Sequence, residues 1–189
     1  MKTVFASLFL MAFTACCWGQ QLGRFTGDLI FKWDPPPSRE MTLLQPISFI
    51  DPRGVVWEVP AGAKTDGASI PRVFWTVVAA PFEGPHRDAA VVHDYFCETR
   101  TRSWRDTHRV FYDGMLARSV DTVLAKIMYA AVYHFGPRWG EVGGATRGKG
   151  DALPARKQEE QMQELKAWIA AENPNLETLE TKLDSLPVR

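Results

Sequence analysis

Apolar residues fall into short runs in the first third of the chain and into helical spacing after it. Leu29-Ile30-Phe31-Lys32-Trp33, Thr42-Leu43-Leu44, Phe49-Ile50 and Val55-Val56-Trp57-Glu58-Val59 are rich in β-branched and aromatic residues, the composition of strands. Asp51-Pro52-Arg53-Gly54 is a turn with proline at its second position, which brings the following strand back. Asp34-Pro35-Pro36-Pro37-Ser38 reads as a rigid exposed loop, because three prolines supply no ladder donors. Residues 20–63 are therefore expected to form a small antiparallel β-sheet.

The second half is helical. His86, Ala89, Ala90, His93, Cys97 and Arg100 keep the i, i+3, i+4, i+7 spacing of one helix side, which predicts a helix over 87–99. Ser69 can cap a shorter helix before it, running through Phe74-Trp75 and ended by Pro81. Ser103-Trp104-Arg105-Asp106 has the spacing of a capping box, with Asp in place of Glu, and opens a second helix to about Ala117. Ser119 or Asp121 caps a third, which passes Ile127, Met128 and Val132 and stops at Phe135 before Gly136-Pro137. The fold class expected is α+β: a small antiparallel sheet followed by a three-helix core, in one globular domain over 20–142. Glycines 140, 143, 144, 148 and 150 mark a flexible linker, taken as 143–154. The charged tail over 155–189 follows, with Leu165, Trp168 and Ile169 as a narrow apolar stripe. That tail is read as a helix pair facing a protein partner or packing on itself.

Composition narrows the class. The 46% hydrophobic content, with seven Trp and eleven Phe in 189 residues, supports a real core and argues against disorder along the whole chain. Lys plus Arg and Asp plus Glu stand at 22 each, so no overall field draws the chain to nucleic acid. Met1-Lys2 and the apolar run to Ala15 read as a secretory signal over 1–19, too short to span a bilayer comfortably. Its ending is open. Cleavage after Gly19 leaves Gln20 first, Phe13-Thr14-Ala15-Cys16 offers lipidation at Cys16, and an uncleaved anchor is the third route. After cleavage at Gly19, Cys97 is the one cysteine left, and it reads as a small hydrophobe without assigned chemistry.

Candidate chemistry concentrates in Lys64-Thr65-Asp66-Gly67-Ala68-Ser69-Ile70-Pro71 and in His93-Asp94. A glycine turn can aim carbonyl oxygens at a hard cation, an adjacent Asp can complete the shell, and a histidine can take a proton from water. Asp94 lies about 100° round the helix from His93, so the two cannot form a simple dyad but can enter one cavity from its two edges. On the second helix Trp104, His108, Phe111 and Met115 share a stripe, with Asp106 about 160° from His108. If the two helices form an antiparallel hairpin across Arg100-Thr101-Arg102, His93 and His108 approach each other. Asp66 and Ser69 also suit turn and cap roles. Arg100, Arg102, Arg105 and Arg109 beside Trp104 suit either a solvated turn or an anion.

Val59-Pro60-Ala61-Gly62, Thr65-Asp66-Gly67-Ala68-Ser69-Ile70-Pro71-Arg72, His93-Asp94-Tyr95, Phe111-Tyr112 and Tyr129-Ala130-Ala131-Val132 with Phe135-Gly136 resemble a bacterial and phage family. That family is known only as domain of unknown function 1353, and the resemblance covers about residues 25–142. It implies no activity. The order of motifs also resembles secreted prokaryotic phospholipases A2, which place a Thr-Asp calcium loop before a His-Asp helix and a helix with Asp-x-x-Phe-Tyr-x-x-Met. That resemblance implies a phospholipase-A2-like helical hairpin in the core, Asp66 and Asp94 as calcium ligands, Gly67 as a carbonyl donor and His93 as the base. The orienting position falls on His108, where those enzymes carry Asp, and their disulfides are absent.

These readings give an expected function: an exported metal-assisted hydrolase of lipid or other envelope esters, with His93 and His108 as catalytic residues. Ser69, Arg72, Trp75 and Tyr95 are the candidate substrate contacts, and Val73-Phe74-Trp75-Thr76-Val77-Val78 lines either an acyl cleft or ordinary core. Calcium is the expected cofactor. The alternative is zinc, gathered by Asp66, His93, Asp94 and His108. The competing expectation is a non-catalytic envelope or phage-associated binding protein at a membrane surface, which uses its tail for a partner.

Overall fold

The computed structural model describes residues 22–38, 40–65, 84–140, 142–143 and 153–187. Their strands are β1 (Arg24–Thr26), β2 (Phe31–Trp33), β3 (Met41–Leu43), β4 (Ile47–Ile50), β5 (Val56–Val59) and β6 (Lys64–Thr65). The helices are α1 (Arg87–Thr99), α2 (Trp104–Ala117), α3 (Thr122–Phe135), α4 (Ala155–Glu172) and α5 (Leu176–Ser185). The class is α+β. Two three-stranded antiparallel sheets form, β1-β4-β5 and β2-β3-β6, where one was expected. The run after Pro46 pairs with β1 and β5, while the run before it pairs with β2 and β6, so Gln45-Pro46 divides the sheets.

Alternation explains the larger burial. Ile47 and Phe49 of β4 face Val59 and Trp57 of β5 in register, and all four are buried. The turn between these strands closes as its sequence demands. The Gly54 N–H donates to the Asp51 carbonyl at 2.9 Å, with Gly54 at φ +83°. The Asp51 carboxylate, itself buried, accepts from the N–H of Arg53 and Val55 and from Trp57 Nε1, and pairs with Arg53.

Helix α1 separates two apolar clusters. Val91, Val92 and Phe96 pack on Leu43, Ile47, Phe49, Trp57 and Val59 of the sheets. Ala89 and Ala90 join the helical core of Phe111, Met115, Met128, Ala131 and Val132. His93 and Cys97 lie on this buried helix, which fixes where any chemistry can occur. Gly114 lets α2 approach α1 closely, since a Cβ there would stand 2.9 Å from the Ala89 Cβ. Ala89 beside Gly114 and His93 beside His108 give the two helices an antiparallel register.

Capping follows the sequence. Ser103 accepts from the Asp106 N–H at the start of α2, and Asp121 accepts from the N–H of Val123 and Leu124 at the start of α3. Asp121→Ala should therefore lower stability by about 1 kcal/mol, read as a shift of the urea midpoint without a change of slope.

The tail helices do more than face outward. Met162, Leu165 and Ile169 of α4 and Leu179 and Leu183 of α5 are buried in the same cluster as α3. Polar ties reinforce the seam: the Tyr129 hydroxyl donates to Glu180 at 2.7 Å, the Tyr133 hydroxyl donates to Asp184 at 3.1 Å, and Arg105 pairs with Asp184. No described helix is long and apolar enough to cross a membrane.

Candidate active site

The α1–α2 register brings His93 and His108 together. Their rings lie 5.1 Å apart between centroids, and His93 Nε2 stands 2.8 Å from His108 Nδ1. His93 is 1% exposed and His108 fully buried, enclosed by Phe111, Trp104 and Trp139. Gly136 permits this: a Cβ there would lie 3.2 Å from His108 Cε1 and collide with the Val132 carbonyl. The following Pro137 turns its carbonyl onto His108 Nε2 at 3.1 Å.

A chain of donors fixes both tautomers. A carbonyl only accepts, so His108 Nε2 carries its hydrogen toward Pro137. In the neutral ring His108 Nδ1 is then the acceptor, and His93 Nε2 donates to it. His93 Nδ1 is left as the accepting nitrogen, 3.9 Å from Asp94 Oδ1. Asp94 is held on its other oxygen by the Thr65 hydroxyl, which donates to Oδ2. Strand β6 thus ends on the carboxylate that flanks the histidine.

Burial keeps both rings neutral. It lowers the His93 pKa from 6.5 to about 3. His108 is pushed well below the ordinary value by burial and by the neighbouring His93, with the Pro137 hydrogen bond opposing. The folded state therefore binds fewer protons than the unfolded chain between about pH 6.5 and pH 3, so stability is complete above that window and is lost as pH falls through it. His93 alone should contribute a loss of roughly 2 kcal/mol between about pH 7 and pH 5, with His108 acting in the same direction. Urea midpoints at the two pH values measure this, and His93→Gln should flatten the dependence.

Of the expected site residues, His93, His108 and Asp94 converge here. Tyr95 lies on the same helix but turns to the sheet-side cluster, edge-on to Phe96. Asp66, Gly67, Ser69, Arg72 and Trp75, the run 73–78 and Cys16 with the signal segment lie outside the described residues. The arginines beside Trp104 are engaged within the chain: Arg105 stacks on Trp104 and pairs with Asp184, Arg109 pairs with Asp113 and Glu180, and Arg102 lies over Trp57. Asp106 points away from the histidines and meets Arg53 at 3.0 Å.

Two contributors were not legible. Cys97, read as a small hydrophobe, places Sγ 3.5 Å from His93 Nε2, and its spacing of four from His93 was the available signal. Pro137, read as a helix stop, supplies the carbonyl that selects the His108 tautomer. His93, Cys97 and His108 each offer one ligand atom, all within 4.8 Å of one another.

Among curated proteins, an uncharacterized protein of Sinorhizobium fredii called y4jT is 51% identical over 106 residues, 56% of this chain and 31% of its own. A second uncharacterized protein of that organism, y4iH, is 42% identical over 116 residues, 61% of this chain and 48% of its own. The chain thus spans less than half the length of either relative. No solved structure matches it significantly. Residues 41–132, which run from β3 through most of α3 and include His93, Asp94, Cys97 and His108, match the family described as protein of unknown function DUF1353.

Proposed function

We propose that the chain is a metal-assisted hydrolase of carboxylic or phosphoric esters, in which His93 Nδ1 takes a proton from water. The observation that carries this reading is the donor chain from His93 through His108 to the Pro137 carbonyl, because it turns the accepting nitrogen of His93 toward Asp94. A cation on Asp94 would hold and acidify the attacking water beside that nitrogen. Asp66 and the Gly67 carbonyl are the further oxygen donors assigned to it. An all-oxygen shell of this kind suits calcium, and zinc is the alternative where imidazole takes part.

The resemblance in motif order to prokaryotic phospholipases A2, which departs at His108, suggests the same roles, with lipid or other envelope esters as substrates. Ser69, Arg72 and Trp75 are the proposed substrate contacts. Export through residues 1–19, to the periplasm or to an outer surface with Cys16 as the anchor, fits such a substrate. Within this reading His108 is a weak orienting partner. Burial makes the His93 imidazolium costlier to form than in water, and a neutral ring offsets little of that cost.

That cost favours a second reading, a non-catalytic binding protein on the same scaffold with its tail toward a partner. Hydrolysis of short-chain aryl esters and of phospholipid vesicles by the purified protein separates the two. A slow rate abolished by chelator and restored by calcium supports the enzyme. Absence of hydrolysis with calcium, zinc or manganese supports the binding protein.

A further inference from the structure

We infer that His93, Cys97 and His108 form a binding site for one thiophilic divalent ion of the zinc class, and that filling it takes His93 out of service as the base. The second half rests on the hydrolase reading above; the binding site does not. Three donors of the right kind, two imidazole nitrogens and one sulfur, converge from two packed helices whose register is set by the Ala89–Gly114 contact. Nitrogen and thiolate ligands select zinc, cobalt or cadmium over calcium.

The distances fit. Zinc bonds of about 2.0–2.1 Å to nitrogen and 2.3 Å to sulfur imply tetrahedral edges of about 3.3 Å between nitrogens and 3.6 Å between nitrogen and sulfur. Cys97 Sγ and His93 Nε2 already stand 3.5 Å apart. The 2.8 Å separation of the two nitrogens is a hydrogen bond, and it opens by about half an ångström once the shared proton leaves and an ion takes its place.

The surroundings are those of a metal site's outer shell. His108 needs no change, since its Nε2–H already rests on the Pro137 carbonyl and its Nδ1 lone pair faces the cluster. His93 must move its proton from Nε2 to Nδ1, which stands 3.9 Å from Asp94 Oδ1, so the carboxylate must close by about 1 Å to accept it. That carboxylate–histidine arrangement fixes a ligand tautomer in many zinc centres. Cys97 gives up its thiol proton to solvent. One proton is therefore released per ion bound, and the ion gains two neutral nitrogens and one thiolate. With Nδ1 protonated, His93 can no longer accept a proton from water. A site that binds calcium through Asp94 for catalysis would thus be silenced by zinc.

Cobalt titration of the full chain, without an affinity tag, tests the site. The expected result is saturation at one ion per chain with a near-ultraviolet thiolate-to-cobalt band and the visible bands of a tetrahedral ion, all displaced by zinc. Cys97→Ser should abolish the thiolate band, and His108→Gln should weaken cobalt binding at least tenfold. Circular dichroism shows whether each variant is folded, and Cys97→Ala serves if Cys97→Ser is not. A thiolate band that persists in Cys97→Ser, or no band in the wild-type chain, overturns the site. One equivalent of zinc should also suppress calcium-supported ester hydrolysis in the wild-type chain and not in Cys97→Ser. Stoichiometric binding with an unchanged rate overturns the inhibitory role and leaves the hydrolase reading intact. If no ester is hydrolysed, the hydrolase reading fails, and the cobalt spectrum still decides the site.

Discussion

His108→Asp should raise ester hydrolysis by tenfold to a hundredfold. The Oδ1 of Asp and the Nδ1 of His stand the same number of bonds from the backbone, so a carboxylate oxygen would take over the acceptor position 2.8 Å from His93 Nε2. It would stabilise the imidazolium through a charge-assisted hydrogen bond, and a gain of that size corresponds to about 1 to 3 kcal/mol of transition-state stabilisation. The change also strips the Pro137 carbonyl of its donor and buries a carboxylate, so a loss of stability accompanies the gain. His108→Asn isolates the charge. Its amide oxygen accepts the same hydrogen bond without the negative charge, and its rate should stay near wild type. The assay compares the three proteins in calcium after transition metals have been removed. Equal rates for Asp and Asn would show that charge at position 108 does not govern the base.

Much of this arrangement was legible in the chain. The helix bounds follow from local signals that act within one turn: Ser103 and Asp121 cap where their side chains can reach the first amides, and Gly136-Pro137 ends α3. The approach of His93 to His108 followed from helical rows plus a short connection, which leaves two adjacent helices little choice but an antiparallel hairpin. The division of the strands into two sheets was not legible. Strand pairing depends on contacts far apart in sequence, such as Arg24 with Ile50, and spacing along the chain does not specify them. The sequence marked Leu165 and Ile169 as the apolar stripe of the tail but not the surface they meet. Tyr129 and Tyr133 fit a buried helix face as well as any aromatic pair, and their hydroxyls on Glu180 and Asp184, with Leu179 and Leu183 in the shared cluster, reveal α5 as their neighbour. Cys97 is hard to read from sequence for a related reason. A cysteine on an apolar face is usually packing, and its meaning here depends on a ring from another helix.

The most direct test of the central claim is the rate of calcium-dependent ester hydrolysis in His93→Gln beside the wild-type chain. Glutamine can still donate an amide N–H toward His108 Nδ1, and it removes a buried ring that resists protonation, so the fold should persist and gain stability near pH 5. What glutamine lacks is a nitrogen that accepts a proton from water. The account predicts a loss of about two to four orders of magnitude in rate, with cooperative unfolding retained. A folded His93→Gln protein that hydrolyses esters within a few-fold of wild type would contradict it, because the water would then be activated elsewhere.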